Sequence, residues 1–248
     1  MTAHAETTYP RPGLPLLSRV ELRKMADTRA GFWLLLVVAL LGAAIVTITL
    51  IAGKPEDQDL HSLFQGALWV VSIVLPVVGI LAVTGEWTQR TGLTTFALVP
   101  ERGRVIAAKV VAAVGLALGA AVACFLAAAA GNLIAGGSWD LPFWLLSQGT
   151  LFEVIGMLGG VAFGLVFMNS ALAIVLYYLL PTVWTILGET IHALDKPANW
   201  LDLSRTMERL VDGSLTGTEW AQLGTSVGLW VGLVLLIGLV RLRRTELK

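Results

Sequence analysis

Six apolar runs alternate with short polar segments along this chain of 248 residues. A helix rises about 1.5 Å per residue, so about 20 apolar residues cross about 30 Å of hydrocarbon. The runs are residues 31–52, 64–84, 110–135, 142–168, 171–188 and 223–240. The first has no charge, the third begins just after Lys109, and the fourth is broken only by Glu153. Hydrocarbon offers no water to backbone N–H and C=O groups, so each run must satisfy its own, which a helix does. The pattern predicts an all-α, polytopic membrane protein: a cytoplasmic N-terminal segment, 1–30, and a six-span domain, 31–248. Only Asn169-Ser170 separates the fourth and fifth runs. They could form one bent element, but their joint length fits two crossings.

Lysine and arginine set the orientation, because they are retained on the cytoplasmic side. With the N-terminus inside, the inner segments carry Arg11, Arg19, Arg23, Lys24, Arg29, Arg90, Arg102, Arg104, Lys109, Arg241, Arg243, Arg244 and Lys248. The outer segments hold Lys54, Lys196, Arg205 and Arg209, which completes the 17 basic residues. Both termini are expected in the cytosol of a cell whose plasma membrane the chain spans. Trp33, Trp87, Trp139, Trp144 and Trp220 fall near run ends, where amphipathic rings sit well. The first run starts late and is too long for the h-region of a cleavable signal, so it is expected to act as a signal anchor.

Three polar stretches are large enough to act. Residues 14–29 mix Leu14, Leu17, Leu22 and Met25 with Arg19, Arg23, Lys24 and Arg29. That fits a helix lying on the inner leaflet, with Glu21 interrupting its apolar face; the alternative is a solvated basic tail that fixes topology. The inner loop 85–109 holds a semi-apolar stretch, 92–99, closed by Pro100, before which a helix should stop. It is either a handle for a partner protein or a connector. The outer segment 192–222 places Trp200, Leu201, Leu203, Met207, Leu210 and Val211 at roughly helical spacing. A short amphipathic helix at the outer mouth is expected there, against a flexible loop.

Within the runs, small residues recur every four positions: Gly115 and Gly119; Gly156, Gly160 and Gly164; Gly224, Gly228 and Gly232. Such seams let helix backbones approach closely, within one chain or between two. Pro76 and Pro181 lie mid-run and should kink their helices. Glu153 sits about 15 Å into its run, where a charge costs about 2.5–3.5 kcal/mol on insertion scales. It is either a pathway or coupling group, or a protonated or hydrogen-bonded glutamate that holds two helices together. Glu189, near a run end, can reach water.

Composition narrows the function. The chain is 56% hydrophobic and only 14% charged, against about a quarter charged in soluble domains. That excludes a disordered chain, and zero formal net charge gives no field to recruit nucleic acid. The single cysteine, Cys124, can form no internal disulfide, and His4, His61 and His192 are scattered, so no metal site is expected. No GxxxxGK[ST] or HExxH motif occurs. Ser138 follows Gly136-Gly137, but no histidine is placed to activate it, which leaves an intramembrane enzyme unsupported. A proton-coupled secondary carrier could use Glu153, although such carriers show internal repeats that are not clear here.

The stretch SRVELRKMADTRAGFWLLL resembles the opening of bacterial ABC transporter permeases of the type-2 exporter class, in an acidic residue, a Lys/Arg pair and a further Arg before a Trp-rich span. Glu21, Arg23, Lys24, Arg29 and Trp33 match. GEWTQRTGLTTFALVPERGRVIAAK is similar to that family's first inner loop, through Glu86, Arg90, Thr94, Thr95, Leu98, Pro100, Arg102 and Lys109. The layout of six spans with a larger outer segment before the last extends the resemblance over nearly the whole chain. It implies a permease that pairs with a second copy or a sister chain, each docked on a separate cytosolic ABC ATPase subunit that binds ATP and Mg. The coupling helix would be about residues 88–99, and its motion would switch the pair between inward- and outward-facing states. The substrate would be lipophilic or amphipathic: a drug, a peptide or a lipid. The permease itself would catalyse nothing, in keeping with its missing P-loop.

Overall fold

The computed structural model describes residues 13–88 and 102–244; within them the side chains of 87, 88, 102 and 243 are left aside. The described residues form helices α1 (Leu14–Asp27), α2 (Arg29–Ala52), α3 (Leu60–Thr88), α4 (Arg102–Ala135), α5 (Phe143–Phe167), α6 (Ser170–Thr190), α7 (Asp195–Leu201), α8 (Leu203–Asp212), α9 (Gly217–Val227) and α10 (Val234–Arg244), with short 3-10 turns at Pro55–Asp57 and His192–Leu194. A π-helical stretch, Gly228–Leu233, joins α9 to α10, so the last three form one long element. Six helices are long and apolar enough to cross a membrane. The chain is read accordingly as a multi-pass membrane protein.

The element ends differ from the run ends where polar residues also favour helix. α4 is helical from Arg102, eight residues before the third run: RGRVIAAK holds no proline, and its charged side chains need not enter hydrocarbon. With α3 continuing to Thr88, all the described residues of the expected inner loop 85–109 are helical, and residues 89–101 lie outside the described part. The expected coupling helix at 88–99 therefore lies outside it too, apart from Thr88. The fourth and fifth runs are separate helices. Met168 turns left-handed (φ 50°) to end α5, and the Asn169 side chain accepts from Leu172 N at 3.0 Å to start α6.

α5 is the spine. It packs on α3, α4, α6, α8 and α10, and 61% of its apolar window is buried, against 17% for α2 and 11% for α6. Glycine explains the closeness. A Cβ on Gly160 would lie 2.1 Å from the Pro76 carbonyl oxygen, and one on Gly79 would lie 2.7 Å from Met157 O. The α3 and α5 backbones therefore touch, as small-residue seams allow, and the Gly156–Gly160–Gly164 seam is internal to the chain. The other two seams differ: a Cβ on Gly115, Gly119, Gly224 or Gly228 would meet nothing within 4 Å. Pro76 offers no N–H to the Ser72 carbonyl, and at this weak point the Tyr178 hydroxyl of α6 donates to the adjacent Ile73 carbonyl.

The segment between α6 and α9 folds as two short helices rather than one. Asp202 breaks them apart by capping α8: its Oδ1 accepts from Arg205 N at 3.2 Å and from Thr185 Oγ1 at 3.0 Å. α8 buries Thr206, Met207, Leu210 and Val211 against the bundle. Its last carbonyls have no partner within the helix, and glutamines from two spanning helices supply donors. Gln65 donates to Val211 O at 2.6 Å. Gln148, with its amide nitrogen turned toward α8, donates to Gly213 O (2.9 Å) and Leu210 O (3.1 Å).

Overpacking a closed seam typically costs about 1–3 kcal/mol, whereas an open face accepts a methyl. Gly160→Ala should therefore lower the unfolding free energy in detergent by that amount and Gly228→Ala should leave it unchanged. Equal effects at the two positions would contradict the internal seam.

Candidate functional site

Four charged side chains meet where α1, the end of α3 and the start of α4 converge. α1 turns Ser18, Glu21 and Met25 inward at helical spacing, so an acidic residue stands in its buried face. Glu86 lies in the last turn of α3, where the helix dipole already concentrates negative charge. Lys109 lies on α4 among buried Val105, Ile106, Ala108, Ala112 and Ala113, and is itself 1% exposed.

The Lys109 ammonium has three N–H bonds and three oxygens around it: Glu21 Oε2 at 2.5 Å, Glu86 Oε1 at 3.0 Å and Ala82 O at 3.0 Å. Lys24, half-buried on α1, closes the group from outside, 2.7 Å from Glu21 Oε1 and 3.4 Å from Glu86 Oε1. Two carboxylates and two ammoniums leave no net charge, and buried ions are tolerable only in such pairing. Burial pushes the Lys24 pKa down, but the hydrogen bond and charge of Glu21, followed by those of Glu86, outweigh it and hold the pKa above its ordinary 10.5. A lysine raised in this way contributes fully below its unfolded pKa, and the contribution fades only as pH rises through the folded value. From the Lys24 side, the group is intact across neutral pH.

The residues singled out by sequence divide into three sets. Glu21, Lys24, Glu86 and Lys109 come together. Arg23 instead forms an exposed pair with Asp27 (2.8 Å), and Arg29 opens α2. Arg90, Thr94, Thr95, Leu98 and Pro100 lie outside the described residues, and of Arg102 only the backbone is described. Glu86, expected on a surface offered to a partner, is 7% exposed and faces Lys109. In the sequence Lys109 stands as a marker of topology and as a match to the inner-loop motif, not as a buried cation. The missed signal was its position on the α4 face shared with Val105, Ile106 and Ala112, where a cation requires a partner.

Glu153 stands apart, 1% exposed in the middle of α5, and neither carboxyl oxygen has a hydrogen-bond partner among the described residues. No interhelical hydrogen bond therefore holds it among the described residues. Gly156, Gly160 and Gly164 pack as described above, and Gly232, in the π stretch, is in loose contact only with its own turn. Cys124 is buried and free, and no cluster of three or more His, Cys, Asp or Glu side chains occurs among the described residues.

The arrangement has a mechanical consequence. Residues 89–101 leave α3 three positions after Glu86 and join α4 eight positions before Lys109. The ion group thus links both anchors of that segment to each other and to α1. No protein-family model matches the chain, and none of the curated proteins matches it.

Removing Lys109 would leave Glu21 and Glu86 uncompensated. Breaking a buried pair in this way costs about 3–5 kcal/mol. Lys109→Ala should lower the unfolding free energy by about that much, and adding Glu21→Gln and Glu86→Gln to it should recover part of the loss. A loss below about 1 kcal/mol, the range of a surface pair, would contradict the buried grouping.

Proposed function

We propose that this chain is the membrane-spanning permease subunit of an ABC exporter of the type-2 class, set in a bacterial plasma membrane with both termini in the cytosol. It pairs with a second permease chain, and each docks through residues 85–109 on a separate ATPase subunit that binds ATP and Mg. The chain itself contributes positioning and movement, not nucleotide chemistry.

The ion group carries this reading. A docking segment is useful only if force on it reaches the spanning helices. A push on residues 89–101 bears directly on α3 and α4, and through Glu21 and Lys24 it also bears on α1 and hence on α2. Buried, short, multiply bonded contacts transmit such displacement with little slack, whereas exposed pairs do not. The match of Glu21, Lys24, Glu86 and Lys109 to the family's opening and inner-loop motifs agrees with this. Moved as a unit, the helices switch the permease pair between inward- and outward-facing states and pass a lipophilic or amphipathic drug, peptide or lipid.

Deleting residues 93–98 removes the expected docking surface and leaves the four charged residues in place. The truncated chain should unfold at an unchanged temperature in detergent. On co-purification from its native membrane it should no longer recover an ATP-hydrolysing partner. A stable truncated chain that still recovers the partner and its transport-linked ATP turnover would contradict the docking assignment.

Glu153, buried without a partner, favours one second reading: a standalone proton-coupled carrier. That reading requires transport by the chain alone in liposomes, without nucleotide. Inactivity alone, followed by activity once an ATPase is added, rejects it.

A further inference from the structure

Glu153 lies on the face of α5 that meets α3, between Gly149 and Gly156. A Cβ on Gly149 would lie 2.4 Å from Leu68 Cδ1, and one on Gly156 would lie 3.6 Å from Pro76 Cγ. Its surroundings are therefore the apolar flank of α3. From α4 the titratable group within electrostatic reach is Cys124, and from α6 it is Tyr177. The Tyr177 hydroxyl is already engaged, donating to Gly156 O at 3.3 Å. The titratable groups of α3, His61 and Glu86, lie about three and four turns from the level of Glu153, since Leu68 faces Gly149 and Pro76 faces Gly160. Arg241 and Arg244 of α10 lie beyond Gly238, which packs on Leu165, more than three turns further along α5. On α8, Glu208, Arg209 and Asp212 sit at the opposite end, where Gln148 meets the helix.

We propose that Glu153 is a proton-binding site, a neutral carboxylic acid sealed between α3, α4, α5 and α6 that exchanges its proton only when these helices part and admit water. An ionised carboxylate with neither a donor nor a cation beside it is far costlier in an apolar interior than its neutral acid. The sealed bundle therefore holds the proton. Any arrangement that wets the site releases the constraint, so proton binding and helix separation are linked. The closed bundle binds the proton more tightly, so acid favours closure and alkali favours opening. The hinge is at hand, because Pro76 interrupts the α3 ladder beside Gly160 and Pro181 lies within α6. This linkage stands on the geometry of the bundle and holds whether or not an ATPase drives it.

The test uses the full chain in lipid vesicles at neutral pH. Dicyclohexylcarbodiimide, a lipid-soluble reagent, adds a protonated carboxyl across its C=N bond with nothing lost. Mass spectrometry should find the adduct on Glu153, and a water-soluble carbodiimide should leave Glu153 unmodified. Infrared spectra should show a protonated-carboxyl C=O band that is absent in Glu153→Gln. On transfer to D2O that band should shift as slowly as the protected amides of α5. Absence of both the adduct and the band, or a carboxylate band removed by Glu153→Gln, overturns the neutral acid. A band that shifts at mixing overturns the gated exchange.

Discussion

A cation buried in an apolar bundle must bring its counter-charges with it, and Lys109 does so with three oxygens for three N–H bonds. The rest of this end of the molecule follows from that requirement. Glu86 supplies one oxygen and thereby ties α3 to the start of α4. Glu21 supplies another, and it can do so only if α1 lies across the start of α4 with its Ser18–Glu21–Met25 face inward. The corner from α1 to α2 is correspondingly tight. Thr28 caps α2 by accepting from Gly31 N at 3.1 Å, and a Cβ on Gly31 would lie 1.8 Å from Met25 O. Glycine is the residue that permits this turn.

Away from that end, the fold is governed by the same shortage of solvent. Helices in lipid gain little from burying apolar surface against one another, so close backbone contact and satisfied polar groups must hold them. α5 shows the first in its glycine seam on α3. The α8 end shows the second. There Gln65 and Gln148 serve the last carbonyls of α8, Trp230 Nε1 donates to Leu201 O at 2.7 Å, and the Thr206 and Ser226 hydroxyls pair at 2.6 Å. These bonds join two short helices, α7 and α8, to three long elements: α3, α5 and the one that runs from α9 to α10. Glu153 has no such answer at either carboxyl oxygen, and unlike Asn132, whose amide atoms are also buried without a partner, it can bind or release a proton, which makes it a candidate for chemistry rather than architecture.

The six spans were legible because hydrocarbon imposes a length and a polarity on every one of them, and each observed span covers its apolar run to within a residue, though polar residues lengthen some of them. The internal seam was legible as a repeat, but its partner was not, since Gly156 and Gly224 look alike until α3 is placed. The break at Asp202 was hidden inside an apolar spacing that reads as one helix. The ion group left only a partial trace, Lys109 on an apolar face and Lys24 three residues after Glu21: its other bonds join residues 62 and 88 positions apart in the case of Lys24–Glu86 and Lys109–Glu21. Periodicity reports which face of a helix is buried, not which distant charge meets it. That is why Glu86 was expected on a docking surface and is found inside.

The bond between Lys109 and Glu21 holds α1 and α4 together as one body. This coupling is tested most directly by the distance between spin labels at Val20 on α1 and Val111 on α4, both exposed, in a chain with Cys124 replaced by serine. Pulsed electron resonance should give one narrow distance in the otherwise unaltered chain and a broad distribution once Lys109→Met is added. A distribution already broad before that substitution, or a narrow one that survives it, would contradict the account.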